Sequence, residues 1–162
     1  MSAGDLGPVL FAYDGSELAG LAIDEAARQL AGGRDAIVLT VWRPFVVGFI
    51  PPPGVEFDAA ASDEVRRAAE QTAAHGASLA QAAGFRAESL ELTEAPTWKG
   101  IARVADDRDA SLIALGSHGK SGLAGVFLGS VAASVAAHSG RTVLIVHRHT
   151  GTLESALSPN AT

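Results

Sequence analysis

The 162-residue chain has no cysteine, few aromatic residues and no apolar run long enough to span a membrane. Without cysteine, a disulfide scaffold, a thiolate metal site and a cysteine nucleophile are excluded. Aromatic residues make up 6% of the chain and hydrophobic residues 48%, so we expect small-residue helices packed closely on a sheet. A membrane helix needs about 20 consecutive apolar residues, so no membrane partner is expected.

Clustered positive charge is missing as well. The formal net charge is −6, and the isoelectric point is near 5.2. Neutralising the phosphates of a nucleic acid takes clustered Lys and Arg, and an anionic membrane surface attracts the same residues, so neither is an expected partner. Residues 1–7 lack a basic segment and a long apolar run, so no signal peptide is predicted and we expect a cytoplasmic protein.

Short apolar runs alternate with helical stretches, which is typical of a doubly wound α/β fold with right-handed crossovers. Four of the runs are nearly unbroken, as expected of strands that are buried on both faces of a parallel sheet. The fifth, residues 89–93, alternates polar and apolar residues and is expected at a sheet edge. The predicted strands are residues 9–13, 37–42, 89–93, 112–115 and 143–146.

Four helices are predicted between the strands from Ser or Thr residues that can cap their first turns. They are expected to end near residues 31, 83, 106 and 138. The predicted N-caps are Ser16, Ser62, Thr97 and Ser130.

One domain is expected to cover residues 1–149. Residues 44–61 contain three consecutive prolines and are predicted to form a long surface loop. Residues 150–162 are small and polar and are predicted to form a flexible tail.

The strongest motif follows the fourth predicted strand. It reads Gly116-Ser117-His118-Gly119, then nine residues, then Gly129-Ser130, or G-x2-G-x9-G-[ST]. Glycines directly after a parallel strand let the backbone approach a ligand, and their N–H groups can converge on phosphate oxygens. The second glycine element opens the next helix, whose N–H groups and positive dipole end attract anions. We expect both elements at surface turns, where an added side chain would block a ligand without unfolding the domain.

A second element, Asp14-Gly15-Ser16, follows the first predicted strand. In a doubly wound sheet the first and fourth strands can be neighbours at the switch point, where ligands bind. The carboxylate of Asp14 would then be suited to hold Mg²⁺ against phosphates. By itself, Asp14 is equally well interpreted as a turn or capping residue. His118 is interpreted as a polar loop residue beside the site, with a general base as the weaker alternative.

These motifs, G-x2-G-x9-G-[ST] with an Asp-Gly-Ser turn after the first strand, resemble the universal stress protein family over about residues 9–147. The resemblance implies a five-stranded parallel sheet in the order 3-2-1-4-5 with helices on both faces, a homodimer, and bound ATP with Mg²⁺. It implies that Asp14 lies near the phosphates and the metal. It also implies a nucleotide site lined by Ala12, Tyr13, Val41, Leu115, Gly116, His118, Gly119, Gly129, Ser130 and Val131.

Three functions are compatible with the motifs. The leading hypothesis is an ATP-binding regulatory or stress-response protein without a catalytic residue set. The alternatives are a slow ATPase, with Asp14 holding a metal and His118 orienting water, and an interaction protein that binds no nucleotide. The last strand, from Thr142 to Val146, is apolar after its first residue, so we expect its unprotected edge to pair with a second copy of the chain.

Overall fold

A computed structural model describes residues 6–43, 59–120 and 128–148, except for the side chains of residues 59–61. Its five strands form one parallel sheet in the order β3-β2-β1-β4-β5, which confirms the predicted topology. In chain order the strands are β1 (Val9–Ala12), β2 (Asp35–Trp42), β3 (Arg86–Thr93), β4 (Leu112–Gly116) and β5 (Thr142–Val146).

Four helices cover both faces of this sheet. They are α1 (Glu17–Gln29), α2 (Ala59–Ala82), α3 (Thr97–Asp107) and α4 (Ser130–His138). Alternate strand residues point to opposite faces, so Phe11 packs in a core with α1 and α2 while Leu10 packs in a core with α3 and α4. This double burial explains why β1 is an unbroken apolar run. None of the described helices is long and apolar enough to cross a membrane.

Three of the four predicted N-caps are wrong. Only Ser16 caps its helix through its side chain, with its Oγ accepting from Ala19 N at 3.2 Å. Helix α2 already begins at Ala59, because alanine is the strongest helix former and extends the helix upstream of Ser62. The extended residues Pro96 and Gly129 precede α3 and α4, so Thr97 and Ser130 are the first helical residues.

The predicted loop at residues 44–61 is therefore wrong for its last three residues, which belong to α2. Residues 44–58 and the predicted tail at residues 150–162 lie outside the described residues.

The last strand lies at one edge of the sheet, with β4 on its inner side. Leu144 packs against the core on the α1 and α2 face, and Val143 and Ile145 pack against the opposite core. All four apolar residues of β5 stay only half-buried. The opposite edge strand, β3, carries Glu88 and Glu91. Charged side chains thus protect the β3 edge but not the β5 edge. For this reason we still expect a homodimer to form through β5, and this remains a prediction.

We expect the substitution Val146→Lys to convert the predicted dimer into a monomer. Val146 is the half-buried end of β5, so a lysine there places a charge where the partner strand is expected. Light scattering at micromolar concentration measures the change. The matched control is Thr93→Lys, at the exposed end of the other edge strand, which should leave the dimer intact. A monomeric wild type, or a dimer that survives Val146→Lys, would rule out this edge as the interface.

Candidate functional site

The candidate site lies at the carboxyl ends of β1 and β4, which are adjacent in the sheet. Ala12 at the end of β1 pairs with Leu115 near the end of β4. Strand order reverses here, because β1 is followed in the sheet by β2 on one side and β4 on the other. The β1–α1 turn and the β4–α4 loop therefore leave the sheet into one crevice, as is typical of ligand sites in open α/β sheets.

The carboxylate of Asp14 joins these two connections. Its Oδ1 accepts from Ser16 N at 2.9 Å within the β1–α1 turn. Its Oδ2 accepts from Lys120 N at 3.0 Å, at the start of the β4–α4 loop. Gly15, between the two turn residues, has a φ of +79°, a left-handed conformation that glycine adopts without strain. Because a carboxylate has about four lone-pair sites, Asp14 retains room for a metal ion.

The amino end of α4 is held against the end of β4. Gly129 N donates to Ser117 O at 2.8 Å, and Ser117 N donates to Val146 O at 2.8 Å. Among the described residues no side chain caps this helix, in contrast to α1 with its Ser16 cap. Within the part of the chain that the structure describes, the first-turn N–H groups of Ser130 and Val131 therefore have no side-chain cap, and the positive end of the helix dipole faces the same region.

A cation lies close to the β1–α1 turn. A Cβ built on Gly15 would lie 3.2 Å from Lys120 Nζ and 3.4 Å from Thr72 Cγ2 of α2. The ammonium of Lys120 is thus held close to the turn that contains Asp14. Together, the ammonium and the uncapped helix give the crevice a positive side that suits an anionic ligand.

The apolar residues predicted to line the site pack their side chains inward, so only their backbones are available to a ligand. Ala12, Val41, Leu115 and Val131 all pack against the core on the α3 and α4 face. Tyr13 is buried in the opposite core, and its ring lies 6.2 Å from that of His75 on α2. Burial, and secondarily the Asp14 carboxylate, raises the pKa of the Tyr13 hydroxyl, so this group stays neutral at physiological pH.

The motif glycines make close contacts within the protein. A Cβ on Gly116 would lie 2.7 Å from Leu18 Cβ, since α1 packs on the end of β4. A Cβ on Gly119 would lie 2.6 Å from Asp14 Oδ2, and one on Gly129 would lie 2.9 Å from Ser117 O. Protein atoms already fill the space that side chains at Gly116 and Gly129 would take, so such side chains are expected to lower stability; that the domain still folds with them stays a prediction.

Sequence reasoning left two residues out of the site. Lys120 follows the last glycine of the first element, and Ser117 occupies a variable position of the pattern. The glycine pattern specifies the residue type at neither position. His118, which the family resemblance included, is half-buried, and its Nδ1 lies 3.0 Å from Ser117 Oγ.

Asp14 is the expected metal ligand, but the described residues place no group of further metal-binding side chains around it. Among the residues described, no group of three or more His, Cys, Asp and Glu side chains could hold a metal ion. Mg²⁺ is commonly held by one or two carboxylates together with substrate phosphates and water, so a single Asp14 fits such a site only when phosphates are bound.

The sheet order defines a doubly wound α/β domain, with the candidate site at its switch point. The model of the universal stress protein family matches residues 6–147, and the chain belongs to that family. A universal stress protein of Mycolicibacterium smegmatis is 32% identical over 145 residues, covering 86% of this chain and 45% of that relative. The chain thus spans about half the length of the curated relatives with which it aligns over most of its own length.

Two solved structures are similar to this domain. The protein MJ0577 of Methanocaldococcus jannaschii has a TM-score of 0.73 and 23% identity, covering 90% of this chain and 98% of that one. A universal stress protein in complex with cAMP has a TM-score of 0.54 and 30% identity, covering 88% and 97%. The first similarity supports the fold alone.

We expect Gly116→Ala to lower the free energy of unfolding by about 1–3 kcal/mol, because the added methyl group overlaps Leu18. Urea unfolding measures the change. The matched control is Gly20→Ala in α1, where an added Cβ meets nothing within 4 Å. That substitution should raise stability by about 0.5–1 kcal/mol. Wild-type stability for Gly116→Ala would contradict the packing described for Gly116.

Proposed function

We propose that this domain binds ATP, or a close relative of it, in the crevice between β1 and β4, and acts as a nucleotide-dependent regulatory protein of the cytoplasmic stress response. The observation that carries the proposal is the bond from Gly129 N to Ser117 O. It holds the uncapped start of α4 beside the loop that carries Lys120, at the switch point of the sheet.

The phosphates would occupy the positive side of the crevice. The N–H groups of Ser130 and Val131 and the hydroxyl of Ser130 supply donors there, and Ser130 is exposed. The ammonium of Lys120 adds a full positive charge. Charge-assisted bonds of this kind are about twice as strong as neutral ones, so the phosphate groups would supply much of the affinity.

The base would meet the backbone of Val41. Strand β1 ends at Ala12, opposite Leu39, whereas β2 continues to Trp42. Leu39 O accepts from Tyr13 N on the β1 side, and alternate residues of a strand direct their N–H and C=O groups to the same side. Val41 therefore presents its N–H and C=O beyond the end of β1, where an adenine edge can pair with them.

Asp14 would hold Mg²⁺ against the phosphates. Each carboxylate oxygen accepts one backbone N–H, which leaves lone pairs for the ion. When bound, the ion would neutralise phosphate charge that otherwise lies close to Asp14. The solved relative in complex with cAMP, at 30% identity, supports an adenine nucleotide as the ligand class.

Mg·ATP is expected to stabilise the domain. A ligand at about 100 times its dissociation constant adds roughly 2.7 kcal/mol to the free energy of unfolding. Thermal melting with ATP, with and without Mg²⁺, measures this effect. The shift should be larger with the ion, because Asp14 would otherwise face the phosphates unscreened. No shift at millimolar Mg·ATP would refute the proposed function.

The chain has two lysines, which make a matched pair of variants. Lys120→Met is expected to weaken ATP binding about tenfold, the value of one charge-assisted hydrogen bond, and to leave adenosine binding unchanged. Lys99→Met, which removes an ammonium 5.7 Å above the Trp98 ring on α3, should change neither. Isothermal titration calorimetry measures both affinities. Equal losses for ATP and adenosine would show that Lys120 does not meet phosphate.

A further inference from the structure

Ser117 is one of the few buried polar residues of the described chain, with 1% of its surface exposed. Its backbone N–H donates to Val146 O and its backbone carbonyl accepts from Gly129 N, both at 2.8 Å. Its Oγ lies 3.0 Å from Nδ1 of His118. The residue is therefore fixed at three points, between the end of β5, the start of α4 and the imidazole of His118.

The buried hydroxyl decides which nitrogen of His118 carries the proton. If Ser117 Oγ donates to Nδ1, the hydroxyl is satisfied and the neutral imidazole carries its hydrogen on Nε2. If Nδ1 carries the hydrogen instead, Ser117 Oγ accepts, and its own hydrogen needs another acceptor. Within the described residues, Nδ1 is the acceptor found for that hydroxyl. An unsatisfied buried hydroxyl costs about 1–3 kcal/mol, so the Nε2–H form is favoured.

We propose that Ser117 is a positioning residue that holds His118 as a neutral Nε2–H donor to a phosphate oxygen of the bound nucleotide. The inference rests on the proposed function. Phosphate is the expected acceptor because His118 lies in the same turn as Lys120, and Ser117 holds the start of α4 next to it. A ligand oxygen in this region meets two positive elements, which suits an anion.

This arrangement separates binding from hydrolysis. Nε2 already carries a hydrogen, and the lone pair of Nδ1 accepts from Ser117, so neither nitrogen is available to take a proton from water. His118 is thereby a poor general base and a good donor. The slow-ATPase alternative thereby loses His118 as a base that could take a proton from the attacking water.

The tautomer of His118 is measured by long-range ¹H–¹⁵N correlation spectra at pH 8, where an ordinary imidazole is neutral. We expect the hydrogen on Nε2 in the wild type and in Ser117→Thr, which keeps the hydroxyl. Ser117→Ala should lose the preference, weaken ATP binding about three- to tenfold and leave adenosine binding unchanged. The control Ser78→Ala removes an exposed hydroxyl of α2 and should change neither property.

Substitutions of His118 itself test the donor with Ser117 retained; both remove the Nδ1 acceptor of the buried hydroxyl, so the comparison between the two variants isolates the donor. The amide of His118→Gln can donate near the position of Nε2, so this variant should keep most of the ATP affinity, whereas His118→Phe should lose about as much as Ser117→Ala. If Ser117→Ala does not fold, this pair decides the question.

Two results would overturn the inference while leaving ATP binding intact. One is a wild-type His118 with its hydrogen on Nδ1. The other is ATP affinity that is the same in wild type, Ser117→Ala and His118→Phe. A wild type that binds neither ATP nor adenosine would refute the proposed function itself, and the donor role with it, whichever tautomer the spectra show.

Discussion

The hydrogen bond from Lys120 N to Asp14 Oδ2 is the contact on which the geometry of the crevice depends. It spans 106 positions of the chain and joins the turn after β1 to the loop after β4. The same carboxylate organises its own turn through Ser16 N. Because the acceptor is ionised, each bond is stronger than one between neutral groups. Strands β1 and β4 would be adjacent without Asp14, but the segments that follow them would lose the carboxylate that accepts hydrogen bonds from both.

Close packing around this anchor depends on glycine. Leu18, the Asp14 carboxylate and the carbonyl of Ser117 occupy the positions where side chains of Gly116, Gly119 and Gly129 would lie. A pattern of glycines after a strand is typical of phosphate loops. Here, however, each glycine allows another part of the protein to pack closely against its backbone. The N–H groups left for a ligand are those at the start of α4, so packing and proposed binding use different atoms of one motif.

The sheet was predictable because double burial leaves a direct trace in the sequence. Phe11 and Leu10 are both apolar since helices cover both faces of β1, and the polar alternation of β3 reflects its place at an edge. The helix starts were less predictable, because Ser62, Thr97 and Ser130 are compatible with both a cap and a first turn. Alanine before Ser62 and the extended backbone of Pro96 and Gly129 decided between them.

By itself, the sequence determined the strands, because local apolar runs record them, and the glycine spacing gave the family resemblance, which implied the strand order and the expected place of the site. Only the tertiary structure decided which contacts each candidate site residue makes within the protein. Gly116 lies against Leu18, Lys120 lies beside Gly15, and the hydroxyl of Ser117 meets His118 in a buried setting. The first two contacts join residues about a hundred positions apart, and the third depends on burial by β5 and α4, so no local pattern contains them. The physical reason is that elements distant in the chain pack together in three dimensions. Their packing sets the space around a glycine such as Gly116 and the hydrogen-bond partner of a side chain such as His118.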